Sequence, residues 1–112
     1  MEKELQAVKE LRAALDLKFG SDIVILDIRE ISVIADYFVL ATGGNALQLH
    51  ALADTAEETL SKHGLPMMHN EGMRSANWIL LDFGSVIVHL FDKESRSFYN
   101  LERVWGDARI IS

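Results

Sequence analysis

Residues 77–91 read NWILLDFGSVIVHLF, two apolar runs interrupted at Gly84-Ser85. A two-residue turn with glycine at positive φ suits a tight β-hairpin. Pairing across that turn sets Phe83 opposite Val86, Leu81 opposite Val88 and Ile79 opposite Leu90. Every side chain on that face is apolar, so it is expected to be the core face. The other face carries Trp78, Leu80 and Asp82 on the first strand and Ile87, His89 and Phe91 on the second. Moving the turn to Phe83-Gly84 keeps this parity, whereas a three-residue loop would break it.

Working outward, residues 2–19 place Leu5, Val8, Leu11, Leu15 and Phe19 at spacings of three and four, an amphipathic helix stopped by Gly20. DIVILDI (22–28) is a β-branched run short enough for a buried strand, and DYFVLATGG (36–44) reads as a second strand ending in a glycine turn. Asn45 followed by Gln48 resembles a capping box, and it opens a helix with Leu49, Leu52, Ala53, Ala56 and Leu60 on one stripe. His63-Gly64 closes that helix, with Pro66 just beyond. Residues 65–76, LPMMHNEGMRSA, have no period and read as a loop. After the hairpin, DKESRSFYNLERVWGDA predicts a short helical turn and a C-terminal segment with Tyr99 and Trp105. The order α-β-β-α-β-β with a C-terminal α turn predicts an α/β fold, a mixed β-sheet packed with helices. No repeat or internal boundary divides it, so residues 1–112 are expected to form a single domain.

With 49% hydrophobic residues and a single proline, this composition belongs to a folded chain. The chain has no cysteine, which excludes disulfides and thiolate chemistry and fits a reducing compartment. No apolar run approaches the roughly 20 residues of a membrane span, and MEKELQAVKELRAAL lacks a signal-peptide core, so a cytoplasmic protein without membrane contact is expected. The net charge is −6, and only Lys93, Arg96, Arg103 and Arg109 lie loosely together. Such a chain is repelled by phosphate backbones; a basic protein surface is the better partner than nucleic acid.

Asp82-Phe83-Gly84 is also the metal-binding triplet of protein kinases, but the Gly-rich loop, Lys strand and catalytic loop that accompany it are missing. Asp82 beside His89 resembles an acid–base pair, yet no Ser or Cys nucleophile accompanies them. His50, His63, His69 and His89 are poorly spaced for a common metal. ATGGNA (41–46) precedes a helix N-terminus that attracts anions, but the Lys-Ser/Thr of a P-loop does not follow it. The mixed hairpin face leaves two readings open: a helix covers it, or it is an exposed recognition patch in which Trp and Phe act as hot spots.

ADYFVLATG (35–43), ALADTAEE (51–58), NWILLDFGSVIVHLF (77–91) and SRSFYNLERVWGDA (95–108), taken together in order and spacing, resemble the Iojap family of ribosomal silencing factors, RsfS. The specific elements are W-x-L-x-D-[FY]-G, V-H-[LV]-F and F-Y-x-L-E-x-[LV]-W-G-D, and the match covers nearly the whole chain. The resemblance implies a translational repressor, not an enzyme, that docks on the fourteenth protein of the large ribosomal subunit and blocks joining to the small subunit when nutrients are short. It also implies a fold resembling nucleotidyltransferases. Those enzymes hold two cations on paired acids of a strand, and NWILLDF carries one acid, so no catalytic residue, metal or cofactor is expected. A nucleotide- or metal-dependent enzyme on the same fold is the alternative. On the family's motif, Trp78, Leu80 and Asp82 are the expected contacts with the ribosomal protein, with His89 and Phe91 extending the patch. Tyr99, Leu101, Glu102 and Trp105 match the C-terminal motif, either as contacts or as packing. A homodimer is expected when the chain is free of the ribosome.

Overall fold

The computed structural model describes residues 2–74 and 77–111. In chain order the elements are α1 (Glu2–Leu17), β1 (Ser21–Asp27), β2 (Tyr37–Thr42), α2 (Ala46–Lys62), β3 (His69–Glu71), β4 (Trp78–Asp82), β5 (Val86–Phe91), α3 (Lys93–Tyr99), α4 (Leu101–Val104) and β6 (Arg109–Ile111). The strands form one six-stranded sheet ordered β3-β4-β5-β2-β1-β6. Only β2 and β5, at its centre, run parallel; the other pairs are antiparallel. The fold is therefore α/β with a mixed sheet, as the alternation of elements predicts.

The hairpin register is the expected one: Ile79 pairs with Leu90 and Leu81 with Val88. Phe83 donates its N–H to the Val86 carbonyl at 2.9 Å across the turn. Gly84 sits at φ 86°, which only glycine adopts without steric cost, and its N–H donates to Asp82 Oδ1 at 2.8 Å. The predicted core face goes under the long helices. Ile79, Leu81, Phe83, Val86, Val88 and Leu90 share one buried cluster with Val8, Leu11 and Leu15 of α1 and Leu49, Leu52, Ala56 and Leu60 of α2.

The two long helices end by recognisable local chemistry. At the C-terminus of α1 the Gly20 N–H reaches the Leu15 carbonyl at 2.9 Å and the Phe19 N–H the Asp16 carbonyl at 3.0 Å, a Schellman arrangement. The left-handed residue is Phe19, at φ 65°, not the expected stop Gly20. Gln48 braces this turn, donating from Nε2 to the Phe19 carbonyl at 2.8 Å. At the start of α2, Asn45 Oδ1 accepts the Gln48 N–H at 2.8 Å, as a capping residue should. The Gln48 side chain reaches one residue further back than in a capping box and accepts the Gly44 N–H.

Two strands depart from the expectation. The segment read as a loop, 65–76, contains β3, and the C-terminal segment ends in β6; Ser75 and Ala76 of that loop lie outside the described residues. Each strand is three residues long and lies at an edge of the sheet, paired through backbone groups alone on one side. Three residues are too few for alternation to register in a sequence, and the His69-Asn70-Glu71 side chains are all exposed.

No helix among the described residues is long and apolar enough to cross a membrane.

Candidate docking face

The second face of the sheet is half covered, and the border of the cover runs along β4. After β5 the chain caps α3 with Asp92, whose Oδ1 accepts the Ser95 N–H at 2.8 Å. It then turns at Asn100, at φ 44° and ψ 59°, a left-handed conformation that asparagine tolerates well. The turn directs Leu101, Trp105 and Ala108 onto a smaller core made of Leu26, Ile28, Ala35, Phe38, Leu40, Ile87 and Phe91. Trp105 meets Phe38 edge-on at 5.1 Å between ring centroids.

Arg96 fastens this cover to the sheet. Its Nη1 donates to Thr42 Oγ1 at 2.9 Å, while Nε and Nη2 hold the Glu102 carboxylate at 3.2 and 2.8 Å. The guanidinium holds the Glu102 carboxyl below its ordinary value of 4.5. Leu101, Glu102 and Trp105 are thus used within the molecule. Tyr99 packs its ring on Trp78 at 4.6 Å and stays nearly half exposed.

Beyond the cover, β4 alternates between half-buried and buried side chains, and the half-buried ones are Trp78, Leu80 and Asp82. His69 pairs with Asp82 and Glu71 with Leu80, so the two β3 side chains extend the same face toward the sheet edge. An open cleft of about 250 Å³ lies there, lined by Glu71, Gly72, Trp78 and Leu80. Glu71 and Gly72 were not legible as part of a site, because β3 was read as a loop. The one signal available was the glycine following a polar triplet.

Gly72 has a steric reason for its identity. It sits at φ 77°, and an added Cβ would fall 2.1 Å from the Trp78 carbonyl oxygen. Gly72→Ala is expected to push β3 away from β4 and to destabilise the fold by about 2 kcal/mol, the scale of a forced left-handed residue. Urea denaturation of the two proteins checks this; an unchanged midpoint would rule the contact out.

His89 and Phe91 lie beneath the patch, not in it. Phe91 is fully buried and His89 is 5% exposed, each centred between β4 and β2. The expectation that they extend the exposed surface is corrected: the Trp78 indole packs on both rings, and the C-terminal segment packs against the cluster that holds Phe91. The His89 Nδ1 accepts the Trp78 indole N–H at 3.2 Å, and its ring meets Phe38 edge-on at 4.9 Å. Burial alone pushes its pKa down to about 4, so the ring is neutral at pH 7. Asp82 pairs across the hairpin with Ile87, two residues from His89, and its Oδ1 is engaged by the turn. No acid–base pair forms between them.

The other histidines are used separately. His63 bonds Glu10 at 2.7 Å, His69 bonds Glu71 at 2.9 Å, and His50 is exposed on α2. Among the described residues no three of His, Cys, Asp and Glu gather as a metal-binding group. At the α2 N-terminus the amides of Gly44 and Gln48, which would meet a phosphate, are engaged by the Gln48 and Asn45 side chains.

Comparison with known proteins agrees with the motifs. The chain is 42% identical over 101 residues to the ribosomal silencing factor RsfS of Bacillus subtilis, covering 90% of this chain and 86% of that one. It is 35% identical over 109 residues to the chloroplastic protein Iojap of Arabidopsis thaliana, covering 94% of this chain and 43% of that longer protein. A crystal structure from Chromobacterium violaceum superposes with a TM-score of 0.86 at 31% identity, over 91% of this chain and 85% of that one. The family model described as ribosomal silencing factor during starvation matches residues 1–112. The chain belongs to the RsfS family of ribosomal silencing factors.

Proposed function

We propose that this chain represses translation by occupying the large ribosomal subunit. It docks on the fourteenth large-subunit ribosomal protein and, by its bulk, prevents association with the small subunit when nutrients are short. The reading needs no catalysis and places the protein in the cytoplasm, where ribosomes work. When free of the ribosome, the same apolar strip pairs with a second copy of the chain.

The observation that carries this reading is the strip Trp78-Leu80-Asp82, half open beside the β5 side chains that the C-terminal segment covers. A half-exposed tryptophan beside a cleft is the residue type most enriched in interface hot spots. The net charge of −6 favours a basic partner surface and steers the encounter. The occupied amides at the start of α2 give no support to the nucleotide-using alternative.

Sedimentation tests it: added protein should travel with large subunits and reduce the population of joined ribosomes. If it stays at the top of the gradient, the docking proposal fails. Within this reading Asp82 meets a Lys or Arg of the partner. Asp82→Asn keeps an oxygen for the Gly84 N–H and removes the charge. It is expected to weaken large-subunit binding about tenfold, the scale of one charge-assisted hydrogen bond. The loss should shrink as salt rises; a tenfold loss independent of salt would point to a change in the turn instead.

A further inference from the structure

We propose that His89 is a positioning residue for Trp78: its Nδ1 accepts the indole N–H and fixes the face of the indole that the ribosomal partner meets. This rests on the docking reading above and assigns its acceptor.

The indole N–H only donates, so the Nδ1 it meets must carry a lone pair, and the neutral His89 ring must carry its hydrogen on Nε2. Among the described residues the buried Nε2 has no hydrogen-bond partner. Its surroundings are Phe38, Phe91 and Trp78, with Leu40 and Leu80 as its neighbours on the flanking strands. A leucine would fill such a place without an unpaired polar atom. The hydrogen bond from Trp78 is the one polar interaction this ring makes among the described residues.

Trp78 needs an orienting bond. Its indole packs on Phe91 at 5.1 Å and on Tyr99 at 4.6 Å. Ring packing restrains the plane, but the torsion between Cβ and an aromatic ring is broad and roughly two-fold. A half-turn would carry the N–H away from His89. The Nδ1 acceptor selects the conformer with the polar edge turned toward His89, and the same indole lines the cleft with Leu80. An anchor held in one conformer before contact loses less entropy on binding.

Two measurements test this. In ¹⁵N-labelled protein a through-bond coupling between Trp78 Nε1 and His89 Nδ1 should be detectable. Its absence, with Nδ1 resonating as a protonated nitrogen, would overturn the assignment whatever the variants do. Large-subunit binding is then compared for His89→Leu, which fills the space without an acceptor, and His89→Asn, which returns an oxygen near Nδ1. His89→Leu is expected to bind about tenfold more weakly, the worth of one buried hydrogen bond, and His89→Asn within about threefold of the parent. Parental binding by His89→Leu, or equal losses in both variants, would refute positioning. Trp78→Ala separates the failures. If it loses binding while His89→Leu does not, only the positioning idea falls; if it too binds as the parent does, the docking face falls and the positioning with it.

Discussion

Trp78→Ala is expected to weaken binding to the large ribosomal subunit by about 30-fold or more, the range of an interface hot spot centred on tryptophan. The indole is the largest half-exposed side chain of β4, and it lines the cleft with Leu80, Glu71 and Gly72. It also packs on Phe91 and Tyr99, so alanine costs some stability as well as contact area. The companion variant Trp78→Phe keeps ring packing and loses the N–H, so it is expected to fall between alanine and the parent. Co-sedimentation with purified large subunits gives the affinity, and circular dichroism verifies that each variant is folded. A folded Trp78→Ala protein that sediments as the parent does would place the docking surface elsewhere.

The second large effect is loss of stability in acid. The His89 imidazole has an ordinary value of 6.5 and is pushed down to about 4 by burial. Between those values the unfolded chain holds a proton that the folded chain refuses, so the stability from keeping His89 neutral is full above about 6.5 and declines as pH falls. The change amounts to roughly 3 kcal/mol, nearly all of it spent by pH about 4. The carboxyls of Asp27, held down chiefly by Arg29, and of Glu102, held down by Arg96, act later. Their contribution is present above their ordinary values of 3.8 and 4.5 and drops away below them. Urea denaturation at a series of pH values should show unfolding free energy falling from pH 6.5 toward 4.5, with a shallower slope in His89→Leu. Equal free energies at both ends for the parent protein would mean that His89 is not buried neutral.

Much of the fold was legible along the chain, for a local reason. Strand parity has a period of two and helix stripes one of 3.6. Once Gly84 set the turn, the side of every residue from Trp78 to Phe91 followed, and the helix stripes identified Leu11, Leu15, Leu49, Leu52 and Leu60 as core. Capping chemistry was equally local, as Asn45 and Gln48 demonstrate. The departures at that level were local: Phe19, expected on the α1 stripe, is 83% exposed in the left-handed turn before Gly20, and β3 and β6 are too short to show a period.

The candidate site was legible only in part. Parity separated Trp78, Leu80, Asp82, Ile87, His89 and Phe91 from the core face without saying which of them would be covered. That face is divided between strands: the C-terminal segment packs over β5 side chains, and those of β4 stay half open. That division rests on contacts between distant positions, such as Arg96 with Thr42 and Trp105 with Phe38. The sequence by itself determined which residues share a face, because side-chain direction repeats with backbone geometry. Tertiary structure alone decided what covers that face, buried His89 under Trp78, and brought Glu71 and Gly72 to the cleft. Those outcomes depend on chain-distant surfaces meeting, and no period in the sequence encodes where they meet.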